Sequence, residues 1–215
     1  SDSKLESGNA QVLIQRINLQ ETLNAVIHLI QTTQVTTEKN LKVITNYDPL
    51  LPEIIHSDSR RIQQVLYNLL GNAIKFSPEN GMVEFNVKII PTVNTIQFKV
   101  KDYGKGIESD DFEKIFEPFR QTETGLSNAA GGTGLGLAIT KKLVHAMEGK
   151  IAVDSVLGSW TEFTVDFPIK DRDMRVSAES LAKRFNSSMV LFVLDHLDPD
   201  VPRIEAVFDY FKIEY

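Results

Sequence analysis

The chain has 215 residues, 42% of them hydrophobic and 24% charged, with a net charge of -6 and no cysteine. That apolar share supports a packed core, while the lack of thiols excludes disulfides, zinc-thiolate sites and iron-sulfur clusters. The longest purely apolar run, Met189 to Leu194, falls far short of a spanning helix, SDSKLESGNA has no signal-peptide features, and the acidic balance argues against nucleic-acid binding, so a cytoplasmic setting without membrane insertion is expected.

In chain order, Leu19, Leu23, Val26, Ile27 and Ile30 recur at helical spacing and predict an amphipathic helix from about Leu19 to Gln34. Leu41 to Tyr47 reads as a strand. Ser57 or Asp58 can then cap a long helix to Phe76, with Ile62, Val65, Leu66, Leu69, Leu70, Ala73 and Ile74 on one face. Two alternating strands follow, Val83 to Ile89 and Ile96 to Val100, joined by the turn from Pro91 to Asn94. A short acidic helix near Asp110 to Phe116 leads into Arg120 to Gly136, whose low apolar content reads as a mobile loop. Leu135 to Met147 predicts a helix stopped at Gly149, and strands at Lys150 to Ser155 and Thr161 to Phe167 close the unit. The hairpins forbid an all-parallel sheet, so the fold class is an α/β two-layer sandwich of a mixed sheet and helices. Past Pro168, residues 169–188 read as a linker, and 189–215 as one strand and one helix that begin another domain.

Three motifs carry chemistry. On the helix ending at Phe76, Arg61, Asn68, Asn72 and Lys75 fall within a stripe about 60° wide beside the apolar face. Asparagine is a poor helix former, so two at i, i+4 invite a reason. From spacing alone the stripe is either a solvated flank or a metal-phosphate site, since an amide oxygen can ligate magnesium and a lysine can meet phosphate. In DYGKG, Asp102 shares parity with Ile96, Phe98 and Val100 and so points to the apolar sheet face. A carboxylate there needs a donor, which a ligand amino group would supply, while Gly104 and Gly106 would admit a flat ring. The alternative is a turn in which Asp102 caps the helix near Asp110. GGTGLGLA, opening a helix, offers free amides and a dipole to phosphate, or else a flexible loop. It matches neither GxxxxGK[ST] nor GxGxxG, which rejects P-loop and Rossmann sites.

Together and in this order, DSRRIQQVLYNLLGNAIKF, DYGKGI, FEKIFEPFRQ, GGTGLGLAITKKL and GSWTEFTVDFP resemble the catalytic ATP-binding domain of sensor histidine kinases, within the GHKL ATPase group, over residues 17–168. The resemblance implies the Bergerat ATP-binding fold, with ATP and Mg2+ as cofactors. It implies that Asn72 holds magnesium, that Asn68 and Lys75 act at the phosphates, and that Asp102 binds the adenine amino group beside Gly104, Gly106, Ile107 and Thr161. Phe116 and Phe119 would be the aromatic box before the lid, Arg120 would be the lid's only cation, and Gly132, Thr133, Gly134, Leu135, Gly136 and Leu137 would line the phosphate side. Asn68, Asn72 and Lys75 are the implied catalytic set.

SKLESG resembles the end of the dimerisation and phosphotransfer helix, placing residues 1–16 there. MVLFVLDHLDPDVPRIEAVF resembles the start of a receiver domain, as in hybrid kinases, with Asp195, Asp198 and Asp200 read as acidic-pocket remnants or capping residues. His28, His56, His145 and His196 lack the sequence context of a phosphoacceptor, and His28 and His145 read as packing or surface residues. The lid QTETGLSNAAGG lacks a basic residue before its glycine pair, and Trp160 stands where relatives usually have glycine. The implied function is transfer of the γ-phosphate of Mg-ATP to a histidine of a dimerisation domain, with a response regulator or receiver as further partner and a homodimer in the full-length protein. A GHKL ATP hydrolase and a degenerate nucleotide-binding or docking module are the alternatives.

Overall fold

The computed structural model describes residues 12–119 and 134–169. Most of the expected lid, linker and receiver-like segment, and residues 1–11 of the expected dimerisation helix, lie outside the described residues. Gln15 and Arg16, expected at the end of that helix, instead open a strand, β1 (Gln15–Asn18).

β1 leads directly into α1 (Leu19–Gln31), because Asn18, itself still extended, caps the helix with its side-chain oxygen, which accepts the Glu21 amide at 3.0 Å. The helix buries Leu19, Leu23, Val26, Ile27 and Ile30, the five positions its period predicts. It ends before the expected Gln34 because hydroxyls compete for its last carbonyls. Thr32 Oγ1 donates to His28 O at 2.9 Å, and Thr33 Oγ1 to Ile30 O at 3.1 Å. Thr33 then caps a separate short helix, α2 (Gln34–Glu38).

After β2 (Lys42–Tyr47) and β3 (Ile54–Ser57) comes α3 (Ser59–Phe76), whose predicted apolar face is wholly buried. Asp58, not Ser57, is its cap. One carboxylate oxygen accepts the Arg61 amide at 3.1 Å, and the other accepts Leu13 N at 2.9 Å, tying the entering chain to the helix. Four-residue strands β1 and β3 pair antiparallel in a small second sheet that sequence alternation does not announce.

β4 (Met82–Ile90), β5 (Thr95–Asp102), β6 (Lys150–Val156) and β7 (Trp160–Pro168) complete the main sheet, in the order β2-β4-β5-β7-β6. Among the described strands only β2 and β4 run parallel, so the expected mixed sheet is present. The helices α1, α3 and α4 (Gly136–Ala146) contribute buried residues to the core that this sheet shares. Along that core, Phe85 stacks on Phe98 with centroids 6.4 Å apart, and Phe98 meets Phe167 edge-on at 5.9 Å.

Two local readings change. The acidic stretch expected as a helix forms two 3-10 turns, Ser109–Asp111 and Lys114–Phe116. After α4 the left-handed residue is Glu148, at φ 59°, rather than Gly149. Gly149 is needed for space instead, since a Cβ there would lie 2.5 Å from the Asp166 carbonyl oxygen and 2.9 Å from the Phe167 ring. Among the described residues, no helix is long and apolar enough to cross a membrane.

Candidate functional site

Three pieces of chain converge at one end of the sandwich: the second half of α3, the loop after β5, and the start of α4. Asn68, Asn72 and Lys75 are half-buried on α3, as their shared stripe requires. Asn68 Nδ2 donates to the buried Thr140 Oγ1 on α4 at 2.6 Å. A Cβ on Gly136 would collide with Asn68 Oδ1, so glycine at this position leaves the amide its room. The two helices bound a groove of about 450 Å³ lined by Arg60, Gln63, Tyr67, Asn68, Gly136 and Ile139. Arg60 rather than the predicted Arg61 reaches it. The Arg61 guanidinium donates to Gln64 Oε1 at 3.2 Å.

Asp102 ends β5 on the inner sheet face, in register with Val83 on β4 and Thr161 on β7. It is 5% exposed, and its Oδ1 accepts the Gly104 amide at 2.9 Å. Burial raises its pKa from 3.8 to about 6, with the Gly104 hydrogen bond opposing part of that rise. The alternative reading of Asp102 as a helix cap is not what forms, because Glu108 occupies the cap position of the next 3-10 turn. The arrangement is a carboxylate at the polar end of an apolar face, suited to accepting from an amino group.

The two glycines after it are dictated by close approach. A Cβ on Gly104 would strike the Phe76 carbonyl oxygen and lie 2.8 Å from Asp102 Oδ1. Gly106 sits at φ 69° against the Val156 carbonyl, which no side chain tolerates. Ile107 N then donates to Ser155 Oγ at 2.8 Å. That hydroxyl donates to Trp160 O at 2.6 Å and lies 3.1 Å from the Oγ1 of buried Thr161. Asp102, Ile107 and Thr161 are thus brought together as expected, with Ser155 as the link between loop and sheet.

Phe116 and Phe119 do not form one aromatic cluster. Phe116 meets Phe163 edge-on at 6.3 Å and carries the Lys141 ammonium 5.0 Å from its ring. Phe119 is 76% exposed in the left-handed region at φ 61°, and its amide donates to Gly134 O at 3.1 Å. That bond joins the two borders of segment 120–133. Gly134, Leu135 and Leu137 lie at the start of α4, whereas Arg120, Gly132 and Thr133 lie outside the described residues.

Sequence reasoning missed Thr140, Ser155 and Lys39. Thr140 and Ser155 are single hydroxyls whose partners are 72 and 48 residues away, so no local pattern marks them. Lys39 Nζ donates to three carbonyls at the end of α3, those of Ile74 at 3.1 Å and of Lys75 and Ser77 at 2.7 Å. A cation among the last carbonyls of a helix satisfies them and complements the dipole. It also holds the turn that carries Lys75.

Asn72 is half-buried on the rigid α3, and its amide oxygen is a hard donor of the kind magnesium takes. Among the described residues there is no group of three or more His, Cys, Asp or Glu side chains able to cage an ion. A site with one protein oxygen and phosphate ligands is a mode magnesium adopts.

Residues 57–171 match the family described as histidine kinase-, DNA gyrase B-, and HSP90-like ATPase. The chain is similar to hybrid signal transduction histidine kinase A of Dictyostelium discoideum, at 37% identity over 176 residues, covering 77% of this chain and 8% of that protein. It is also similar to full-length ShkA solved in complex with AMPPNP, at 32% identity and a TM-score of 0.65, covering 74% of this chain and 32% of that one. Histidine kinase ThkA, solved in complex with the response regulator protein TrrA, matches at 25% identity and a TM-score of 0.60, over 74% of this chain and 42% of that one. The chain therefore spans a minor part of each of these proteins. A family match across both helices and the sheet that assemble the site makes this chain a member of the histidine kinase-, DNA gyrase B- and HSP90-like ATPases, and within them a histidine kinase ATP-binding catalytic domain of two-component signalling.

Proposed function

We propose that this domain binds Mg-ATP where α3, the β5 loop and α4 meet, and presents the γ-phosphate to a histidine on a separate dimerisation domain. The observation that carries the reading is Asp102, a buried carboxylate at the end of an otherwise apolar sheet face, flanked by two glycines with no room for side chains. An adenine amino group satisfies such a carboxylate, and the glycines let the ring lie against backbone. Asn68, Asn72 and Lys75 then face the phosphates from α3, Asn72 as the magnesium ligand, and Gly134 and Gly136 leave the α4 amides open to them. Magnesium, when bound, neutralises phosphate charge.

In the transfer, an imidazole nitrogen attacks the γ-phosphorus and the bond to the β-γ bridging oxygen breaks, leaving ADP. The protein's contribution is position and charge rather than covalent chemistry. Hydrolysis is disfavoured at Asn68, since an amide takes no proton from water and Nδ2 is committed to Thr140 at 2.6 Å. A response regulator or receiver domain as onward partner, and a homodimer in the full-length protein, extend the reading. The ThkA complex with TrrA supports the first of these.

The test is incubation of the chain with labelled ATP, alone and with a supplied dimerisation domain carrying its histidine. Expected are no rapid hydrolysis alone and an acid-labile label on the added domain. Rapid multiple-turnover hydrolysis would favour the ATPase reading. ATP binding without transfer, even to a covalently joined acceptor, would favour a docking module.

A further inference from the structure

Beside Asp102, the polar groups around the Ser155 hydroxyl leave its protons a single arrangement. Ser155 Oγ lies 2.6 Å from Trp160 O, 2.8 Å from Ile107 N and 3.1 Å from Thr161 Oγ1. A carbonyl only accepts, so the one Ser155 proton goes to Trp160 O. A backbone N–H only donates, so Ile107 takes one Ser155 lone pair. The remaining contact is a hydrogen bond only if Thr161 donates its proton to Ser155. Toward any ligand, the Thr161 hydroxyl is thereby left with lone pairs alone.

Thr161 is the cross-strand partner of Asp102 on the inner sheet face, and both residues are buried. Cβ atoms of such partners stand about 5 Å apart, so the two polar heads share one end of that face. Above its pKa of about 6 the Asp102 carboxylate also only accepts. Two acceptors side by side suit a group that donates, such as an amino group on C6 of a purine. A carbonyl at that position meets lone pairs from both and finds no donor.

We propose that Ser155 is a positioning residue for base selection: it holds the Thr161 hydroxyl as an acceptor toward the ligand, so that the site takes a 6-amino purine and rejects a 6-oxo purine. This deepens the ATP reading above and rests on it. Neither the motif reading nor the similarity to known kinases assigns Ser155 that role.

The test is calorimetry at pH 8 with Mg-ATP and its 6-oxo counterpart Mg-ITP, on the full chain, Ser155→Ala, Thr161→Val and the double variant. The unaltered chain should prefer Mg-ATP. Ser155→Ala frees the Thr161 proton to meet a 6-oxo group and should narrow that preference about fivefold, the size of one hydrogen bond. A purely structural Ser155 would weaken both nucleotides equally, and an unmoved preference would overturn the proposal. If thermal unfolding shows that Ser155→Ala does not fold, Thr161→Val decides by sign. Loss of an acceptor narrows the preference, whereas an unchanged or wider one overturns the proposal. In the double variant Ser155→Ala should add nothing to Thr161→Val, and a further change in preference would place the effect outside Thr161 and overturn the proposal. Equal affinity of the unaltered chain for both nucleotides would overturn this inference while leaving ATP binding intact. Failure to bind Mg-ATP at all would overturn the ATP reading itself.

Discussion

Replacing Asp102 with asparagine should move stability and binding in opposite directions. Burial raises the carboxyl pKa from 3.8 to about 6, a gap of roughly two units, and each unit corresponds to about 1.36 kcal/mol. Folding therefore favours the protonated form. Stability from this group is fully present below about pH 4 and is lost as pH rises through about 6, so the ionised carboxylate costs the nucleotide-free fold about 3 kcal/mol at pH 8. Asparagine stays neutral and keeps an oxygen for the Gly104 amide, but its own NH2 needs an acceptor, which takes back about 1 kcal/mol. The net expectation is a variant about 1–2 kcal/mol more stable at pH 8, raising the melting temperature by about 2–4 °C per kcal/mol. Near pH 4 the advantage disappears. Mg-ATP affinity should fall by about 1.5–3 kcal/mol, because a charged acceptor for the adenine amino group is gone. Thermal unfolding across pH, paired with calorimetry at pH 8, reads both. An Asp102→Asn protein equally stable or less stable at pH 8, with no pH-dependent difference from the parent, would refute the account of a desolvated carboxylate. Unchanged ATP affinity would remove the adenine-anchor assignment.

Other consequences follow from the same geometry. Gly136→Ala places a Cβ into Asn68 Oδ1 and should cost about 1–3 kcal/mol in urea unfolding. Adding Asn68→Ala should restore that stability without restoring phosphotransfer, and a purely additive cycle would contradict the predicted collision. Lys39→Met leaves two α3 carbonyls and that of Ser77 just past the helix without their cation and should lower stability by about 2 kcal/mol, so an unshifted urea midpoint would count against its capping role. Asn72→Ala should weaken ATP binding in the presence of Mg2+ more than in its absence, as titrations with and without chelator would show. Binding of Mg-ATP to the ionised Asp102 should weaken as pH falls through about 6 and should release protons there, which calorimetry in buffers of different ionisation enthalpy detects.

Periodic features were legible from the chain itself. The buried faces of α1 and α3 and the alternation in β4, β5 and β7 are local consequences of 3.6- and 2-residue repeats, and they fall where the sequence places them. Parity alone put Asp102 on the apolar face, and an i, i+4, i+7 spacing alone put Asn68, Asn72 and Lys75 on one stripe. Tertiary structure decided the rest. The pairing of β1 with β3 joins residues about 40 apart through four-residue strands too short to carry a pattern. The end of α1 moved where the Thr32 and Thr33 hydroxyls competed with backbone, and after α4 the left-handed turn falls on Glu148. The resemblance implies Phe116 and Phe119 together as an aromatic box, yet a left-handed backbone turns Phe119 to solvent. The contacts that shape the site were also settled there: Thr140 on Asn68, Ser155 under Ile107, and Lys39 on the end of α3. Each joins a donor, acceptor or charge to a partner on another element, and a periodic pattern says which face a side chain takes but not what the fold sets opposite it.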